Sequence, residues 1–293
     1  MPVTAEGIVA ALGDVVYPAE EEWTMNANAV VTKEQIKTYQ ADGVLCLRGV
    51  ISRYWLEVLW RAAEEAMKLP PMDAYQAYFR RIHLRRVIPG FDQFMRQSVL
   101  PEIASVLMGS AKVNFLYDQL FVKEPHMVDR TVWHNDQPTW PIRGWQVMSF
   151  SVALDHTDKR VGALEFIRGS HAWNAWYQPP YGDSQGRALR NPTPSPGFLP
   201  VPDFEAQRDQ YEILCWDLEP GDVIAFHALA VHGGTANVSG DRVRRAYTLR
   251  YAGEDAYYQD VSHDPTSNER MINPELKTGD PLDSEMYPLV YPM

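Results

Sequence analysis

The segment Thr131 to Pro141, TVWHNDQPTWP, sets an imidazole and a carboxylate two residues apart, His134 and Asp136, between tryptophans and prolines. Alternate residues of an extended backbone project to the same side, so the spacing predicts that both groups address one point in space. A pair is half of a metal site, and a third ligand has to come from elsewhere. The run FHALAVHGG offers His227 and His232. Read as one strand, these two histidines face opposite ways, and His232 is favoured because it ends its run just before Gly233 and Gly234. His227 is expected to pack or hydrogen-bond nearby.

Two imidazoles and one carboxylate leave about half of an octahedral sphere open, the arrangement of non-haem Fe(II) oxygenases and not of closed structural zinc sites. The two cysteines, Cys46 and Cys215, sit in apolar runs without ligand spacing and read as reduced core residues. An open iron that activates oxygen needs two electrons. A 2-oxoacid cosubstrate supplies them while chelating the metal, and its far carboxylate then needs a cation. Arg244 lies twelve residues beyond His232, across the turn VSGD (Val238 to Asp241), where an antiparallel strand would bring it back for a bidentate grip. Arg242 shares its face by alternation and stays a rival, whereas Arg245 points the other way.

The elements that position these residues can be read coarsely. Thr32, with Gln35 three residues on, forms a capping-box start for a helix that stops near Gly43. GVLCLRGV (Gly43 to Val50) reads as a strand, Ser52 opens an amphipathic helix through about Leu69, and Glu102 to Met108 reads as helical. YFRRIHLRRV (Tyr78 to Val87) reads as a solvated helix or strand face. From Lys112 the texture changes to short β-type runs: VNFLYDQLFVKE, WQVMSFSVALD, ALEFIRGS, DVIAFHALAVHG and RAYTLRYAG. Short strands behind leading helices predict a mainly β, α+β fold with an antiparallel double sheet backed by helices. The expected organisation is one domain over 1–293: a helix-rich support region (32–110), a β core (111–252) with a long loop (177–211) that reads as a lid or as simple disorder, and a tail (253–293).

At 293 residues with 45% apolar content, the chain can bury a sizeable core. Its formal charge of -11, with no basic stripe, argues against nucleic acid, and no run reaches the roughly 18 apolar residues of a membrane span. The amino terminus lacks the basic start of a secretory signal, so the expected location is cytoplasmic.

Taken in order, HxD, a distal His-Gly and an Arg-Arg-Ala strand resemble the phytanoyl-CoA dioxygenase family of Fe(II)/2-oxoglutarate oxygenases. The similarity extends to DGVLCLRGV, DQLFVKEP (Asp118 to Pro125), WHNDQPTWP, GALEFIRGSH (Gly162 to His171) and EPGDVIAFH, and so spans about residues 32 to 252. The resemblance implies a double-stranded β-helix, a jelly-roll, cupin-like core, with iron held by His134, Asp136 and His232. It also implies Arg244 as the anchor of the 2-oxoglutarate C5 carboxylate, although one extra residue separates histidine from arginine relative to the usual family spacing. Ser151 stands where many members carry an aromatic residue, and its hydroxyl could bond the cosubstrate carboxylate; Gln119 and Lys123 are second-line candidates. His171 matches a family turn and reads as structural. The implied reaction uses Fe(II), 2-oxoglutarate and O2 to hydroxylate an unactivated C–H of a small molecule, with desaturation, epoxidation and ring closure as alternative outcomes. Trp140, Trp145 and Trp173 are the candidate substrate-pocket aromatics. Two other classes remain in view: a divalent-metal hydrolase or isomerase on the same triad, and a non-catalytic jelly-roll binding protein. Oligomeric state is not readable.

Overall fold

A computed structural model describes residues 31–70, 79–178, 197–261 and 271–292, together with two short strands between 179 and 196. The capping box at Thr32 forms, with Gln35 N–H donating to the Thr32 hydroxyl and the Thr32 N–H donating to Gln35 Oε1, and it opens α1 (Lys33–Asp42). Then follow β1 (Val44–Leu47), α2 (Arg53–Met67), β2 (Phe79–Ile82), α3 (Pro89–Gln97), α4 (Leu100–Met108), β3 (Val113–Lys123) and β4 (Thr131–His134). Next come β5 (Ile142–Arg143), β6 (Val147–Ala153), β7 (Leu164–Ile167), β8 (Tyr181–Gly182), β9 (Ala188–Leu189) and β10 (Ile213–Cys215). The chain continues through β11 (Val223–His227), β12 (His232–Gly234), β13 (Arg244–Ala252), β14 (Tyr257–Tyr258) and β15 (Leu289–Tyr291).

A large antiparallel sheet runs β1-β11-β6-β13-β3-β15, with β2 on the same edge of β3, and a smaller sheet runs β10-β7-β12-β4. The two sheets make the double-stranded β-helix, and the helices cover the outer face of the larger one. Period-two alternation divides that sheet. On β13, Tyr247, Leu249 and Tyr251 join the helix-side core, where the Tyr247 ring stacks on Phe91 with centroids 4.3 Å apart. Arg244, Ala246, Thr248 and Arg250 have the opposite parity and line the inner face, opposite Lys123, Phe121, Gln119 and Tyr117 of β3. Ser149 and Ser151 of β6 fall on that inner face beside Arg250 and Thr248. A bulge at Leu116 shifts the β3 register between Tyr117 and Phe115, which keeps Phe115 on the helix side.

The segment Tyr78 to Val87, read as a solvated helix or strand face, is half-buried or exposed at every described position but Leu84. Phe79–Ile82 is a strand paired with β3 and Leu84–Arg86 is a 3-10 turn, while residue 78 lies outside the described residues. Helix α3 was not expected from the sequence, although Phe91, Phe94 and Met95 carry the spacing of a helical face and all three are fully buried. His227 and His232 do not share a strand. They belong to β11 and β12, in different sheets, joined by a turn at Ala228 and Leu229, so strand parity does not decide between them.

One glycine ties the support region to the core. Gly43 ends α1 with φ +73°, and a Cβ there would sit 2.3 Å from Nδ1 of buried His171. Gly43→Ala is therefore expected to cost about 1–3 kcal/mol from the backbone alone, more with the clash. A urea unfolding midpoint unchanged from wild type would contradict this.

Candidate metal and cosubstrate site

The small sheet brings the three metal-ligand candidates together by register. His232 on β12 lies directly opposite His134 on β4, and Phe166 of β7 flanks His232 on its other side. The two imidazole centroids are 4.3 Å apart. Asp136 arrives by a different route from the one its spacing suggests. β4 ends at His134, and Asp136 has turned to φ -80°, ψ -46° at the head of a 3-10 turn. Its N–H donates to Ala228 O at 3.0 Å, and Asn135 Nδ2 donates to Ala175 O, so a pinned turn replaces strand alternation as the cause of convergence. Asp136 Oδ1 then lies 3.3 Å from His134 Nε2 and 3.9 Å from His232 Nε2. One atom from each residue falls within 4.8 Å of the others, a spacing that suits a shared cation.

Both histidines are held in one ring orientation by backbone carbonyls. His134 Nδ1 lies 2.8 Å from Val132 O, and His232 Nδ1 lies 3.0 Å from Ala230 O. A carbonyl only accepts, so each Nδ1 carries a proton, and each ring turns its Nε2, the nitrogen left for a metal, toward Asp136. Asp136 Oδ2 is buried with no hydrogen-bond partner. Two nitrogen donors and one carboxylate, with an orphaned carboxylate oxygen among them, fit a divalent metal with open coordination positions.

The electrostatics agree. Burial favours a neutral Asp136, but the hydrogen bond from His134 and the charges of His232, Arg250 and His134 hold its carboxyl well below the usual range. Burial and the neighbouring His134 depress His232 to about 4, which keeps its lone pair available. Burial would also depress His134, yet its hydrogen bond to Asp136 and that residue's charge raise it above the ordinary value. Phe166 and Phe226 wall His232, with centroids 5.5 and 5.0 Å from its ring.

The inner face of the large sheet carries the other candidates. Arg244 is 5% exposed, opposite Lys123. Arg242 and Arg245 each pair with a carboxylate. Arg242 Nη1 lies 3.0 Å from Asp158, and Arg245 makes a forked pair with Asp155 at 2.8 and 2.9 Å. Lys123 Nζ donates to Thr235 O and Asp129 O. Burial, then repulsion from Arg244, depresses its ammonium to about 7. Ser151 and Gln119 both register with Thr248, midway along the face.

The three tryptophans do not gather. Trp140 is fully buried, its ring edge-on to Tyr117 at 5.7 Å. Trp145 is 47% exposed, its ring 4.4 Å from His227, and Trp173 is half-exposed and stacks on Phe204. His227 Nε2–H donates to Trp145 O, and His171 Nε2–H to Gln40 O. Of the loop read as a lid or as disorder (177–211), residues 179–180, 183–187 and 190–196 lie outside the described residues, as does His263. Arg250, also buried on this inner face, is not among the candidates drawn from the sequence. Its signal was present, since it has the parity of Arg244 in RRAYTLRYA.

Residues 39–246 match the family model described as Phytanoyl-CoA dioxygenase (PhyH). Among curated proteins, the chain is similar to peroxisomal phytanoyl-CoA dioxygenase of Mus musculus, 24% identical over 267 residues, 84% of this chain and 75% of that protein. The Homo sapiens protein of the same name is 22% identical over 265 residues, again 84% and 75%. Among solved structures, the fold is shared with the non-heme alpha ketoglutarate dependent carbocyclase SnoK from nogalamycin biosynthesis. That chain is 21% identical with a TM-score of 0.70, over 91% of this chain and 98% of its own length. The epimerase SnoN in complex with Fe3+, alpha ketoglutarate and nogalamycin RO is 20% identical with a TM-score of 0.66, over 88% and 98%.

Proposed function

The chain belongs to the phytanoyl-CoA dioxygenase family, and from that premise we propose that it hydroxylates an unactivated C–H bond of a small organic molecule. It is a non-haem Fe(II)/2-oxoglutarate-dependent oxygenase with O2 as oxidant. The family match favours this class over a metal-dependent hydrolase and over a binding protein without chemistry. The observation that carries the proposal is the pair of locked imidazoles presenting Nε2 to the Asp136 carboxylate. Iron bound there supplies dioxygen activation, with 2-oxoglutarate as the source of two electrons.

In this reading His134, Asp136 and His232 would hold the metal, and three protein donors would leave room for cosubstrate and dioxygen. Retention of Asp136 keeps a carboxylate where a halide would otherwise have room, which supports oxygen transfer. Arg244 takes the distal cosubstrate carboxylate, with Lys123 as a second cation beside it. The Ser151 hydroxyl and the Gln119 amide occupy the middle of the same face, at the height of Thr248, and offer hydrogen bonds along the cosubstrate. Phe166 and Phe226 exclude water from the His232 side. The carbocyclase and epimerase of similar fold illustrate that outcome depends on how a substrate C–H is placed.

The test is product analysis under 18O2 once a succinate-release screen finds a substrate. Gain of one labelled oxygen atom is the expected result, and loss of two hydrogens without oxygen gain would refute the hydroxylase assignment.

The depressed Lys123 ammonium yields a pH prediction. Its ordinary value is 10.5 and its value in the fold is about 7, so above neutrality it is largely unprotonated. A carboxylate arriving beside it raises its proton affinity. Binding of 2-oxoglutarate near about pH 8 should therefore take up a fraction of a proton, fading well below pH 7 where the site is already charged. Calorimetry in buffers of different ionisation enthalpy measures the uptake. Lys123→Met should abolish it, and equal enthalpies in all buffers for wild type would contradict it.

A further inference from the structure

Arg250 is a buried cation near the metal-ligand candidates. It is 4% exposed, on the inner face of β13, opposite Tyr117 and Ser149. Its guanidinium carbon lies 4.3 Å from the centre of the Tyr117 ring. Nη2 donates to Gln119 Oε1 at 3.2 Å, Nη1 makes a long contact to Thr248 O at 3.5 Å, and Nε is buried without an acceptor. Among the described residues no carboxylate forms an ion pair with it, although its charge reaches Asp136, His134 and His232. A guanidinium has five N–H donors in a planar fork, and burying it with this few acceptors is costly unless an anion completes the site. Asp136 is not available for that, because the metal takes its charge.

The cosubstrate already has its cations at the other end of the face. Arg244 and Arg250 are six residues apart, about 20 Å along an extended strand, and Lys123 lies opposite the former. We propose that Arg250, oriented by Gln119 and by the face of Tyr117, is the binding subsite for a carboxylate of the primary substrate. The inference rests on the oxygenase reading and deepens it, since a fixed substrate anion would set which C–H faces the metal. The preferred substrate is then an organic acid whose carboxylate is held against a planar fork and an aromatic ring.

The test uses full-length protein, anaerobic, with Fe(II) and saturating 2-oxoglutarate. Benzoate, phenylacetate and hexanoate are each titrated against the matching neutral amide, read by calorimetry and by perturbation of the visible charge-transfer band. At least one acid should bind wild type about tenfold or more tightly than its amide, as loss of a charged hydrogen bond implies. Arg250→Gln should erase that preference and Arg250→Lys should keep part of it. In both variants the 2-oxoglutarate affinity should stay within about threefold of wild type. Equal binding of every acid and amide to wild type would overturn the proposal. So would a tenfold or larger loss of 2-oxoglutarate affinity in Arg250→Gln, which would place the C1 carboxylate of the cosubstrate on Arg250. Absence of the band in wild type before any acid is added would instead mark failure of the oxygenase reading itself.

Discussion

Replacing any one of His134, Asp136 or His232 with alanine is expected to abolish iron retention and 2-oxoglutarate-dependent turnover together. Removing a group that merely orients a metal ligand typically costs about 10–100-fold in affinity or activity, so removing a ligand should exceed about 100-fold. The geometry makes the three equivalent in this respect. Each contributes one donor to the same 4.8 Å cluster, and no fourth His, Cys, Asp or Glu among the described residues joins it. Asp136→Ala has a second expected effect, because the carboxylate that lifts His134 is gone. Metal analysis after desalting, alongside succinate release, checks both. Full iron content with any single ligand missing would show that the cluster is not the metal site.

Arg244→Leu is expected to weaken 2-oxoglutarate binding by about 10–100-fold, from the loss of charge-assisted hydrogen bonds worth about 1.5–3 kcal/mol. Iron binding should be untouched, since Arg244 lies at the start of β13 and not in the ligand cluster. Arg242→Ala is the informative control. Its guanidinium is spent on Asp158, so 2-oxoglutarate affinity should be nearly unchanged. The reverse pattern, with Arg242 sensitive and Arg244 silent, would exchange their roles. A titration of 2-oxoglutarate into the iron-loaded variants, followed by the charge-transfer band, separates the two.

Much of the site was legible in the sequence because its donors are rare residue types at short spacing. His134 and Asp136 stand two apart, and His232 precedes a Gly-Gly pair, so residue type and position single out the candidate ligands that the fold brings together. The cause of their convergence differs from the one the spacing suggests. Asp136 converges through a turn held by Ala228 O and not through strand alternation, and β11 and β12 are separate strands. Turn geometry depends on long-range hydrogen bonds that local periodicity does not encode. Weighing Arg244 against its neighbours needs the partners of Arg242 and Arg245, Asp158 and Asp155, which are distant in sequence. The aromatics were least legible. Trp140, Trp145 and Trp173 look alike in the sequence, yet one is core and two reach the surface, because tertiary packing decides the burial of a tryptophan. Arg250 was overlooked although alternation from Arg244 reaches it directly.

The most direct measurement is an anaerobic titration of the apo-protein with Fe(II) and then 2-oxoglutarate, monitored in the visible region. Growth of a weak metal-to-ligand charge-transfer band, saturating at one 2-oxoglutarate per iron, is the expected result. Binding of Fe(II) with no such band on adding 2-oxoglutarate would mean that the three side chains hold a metal for some other chemistry.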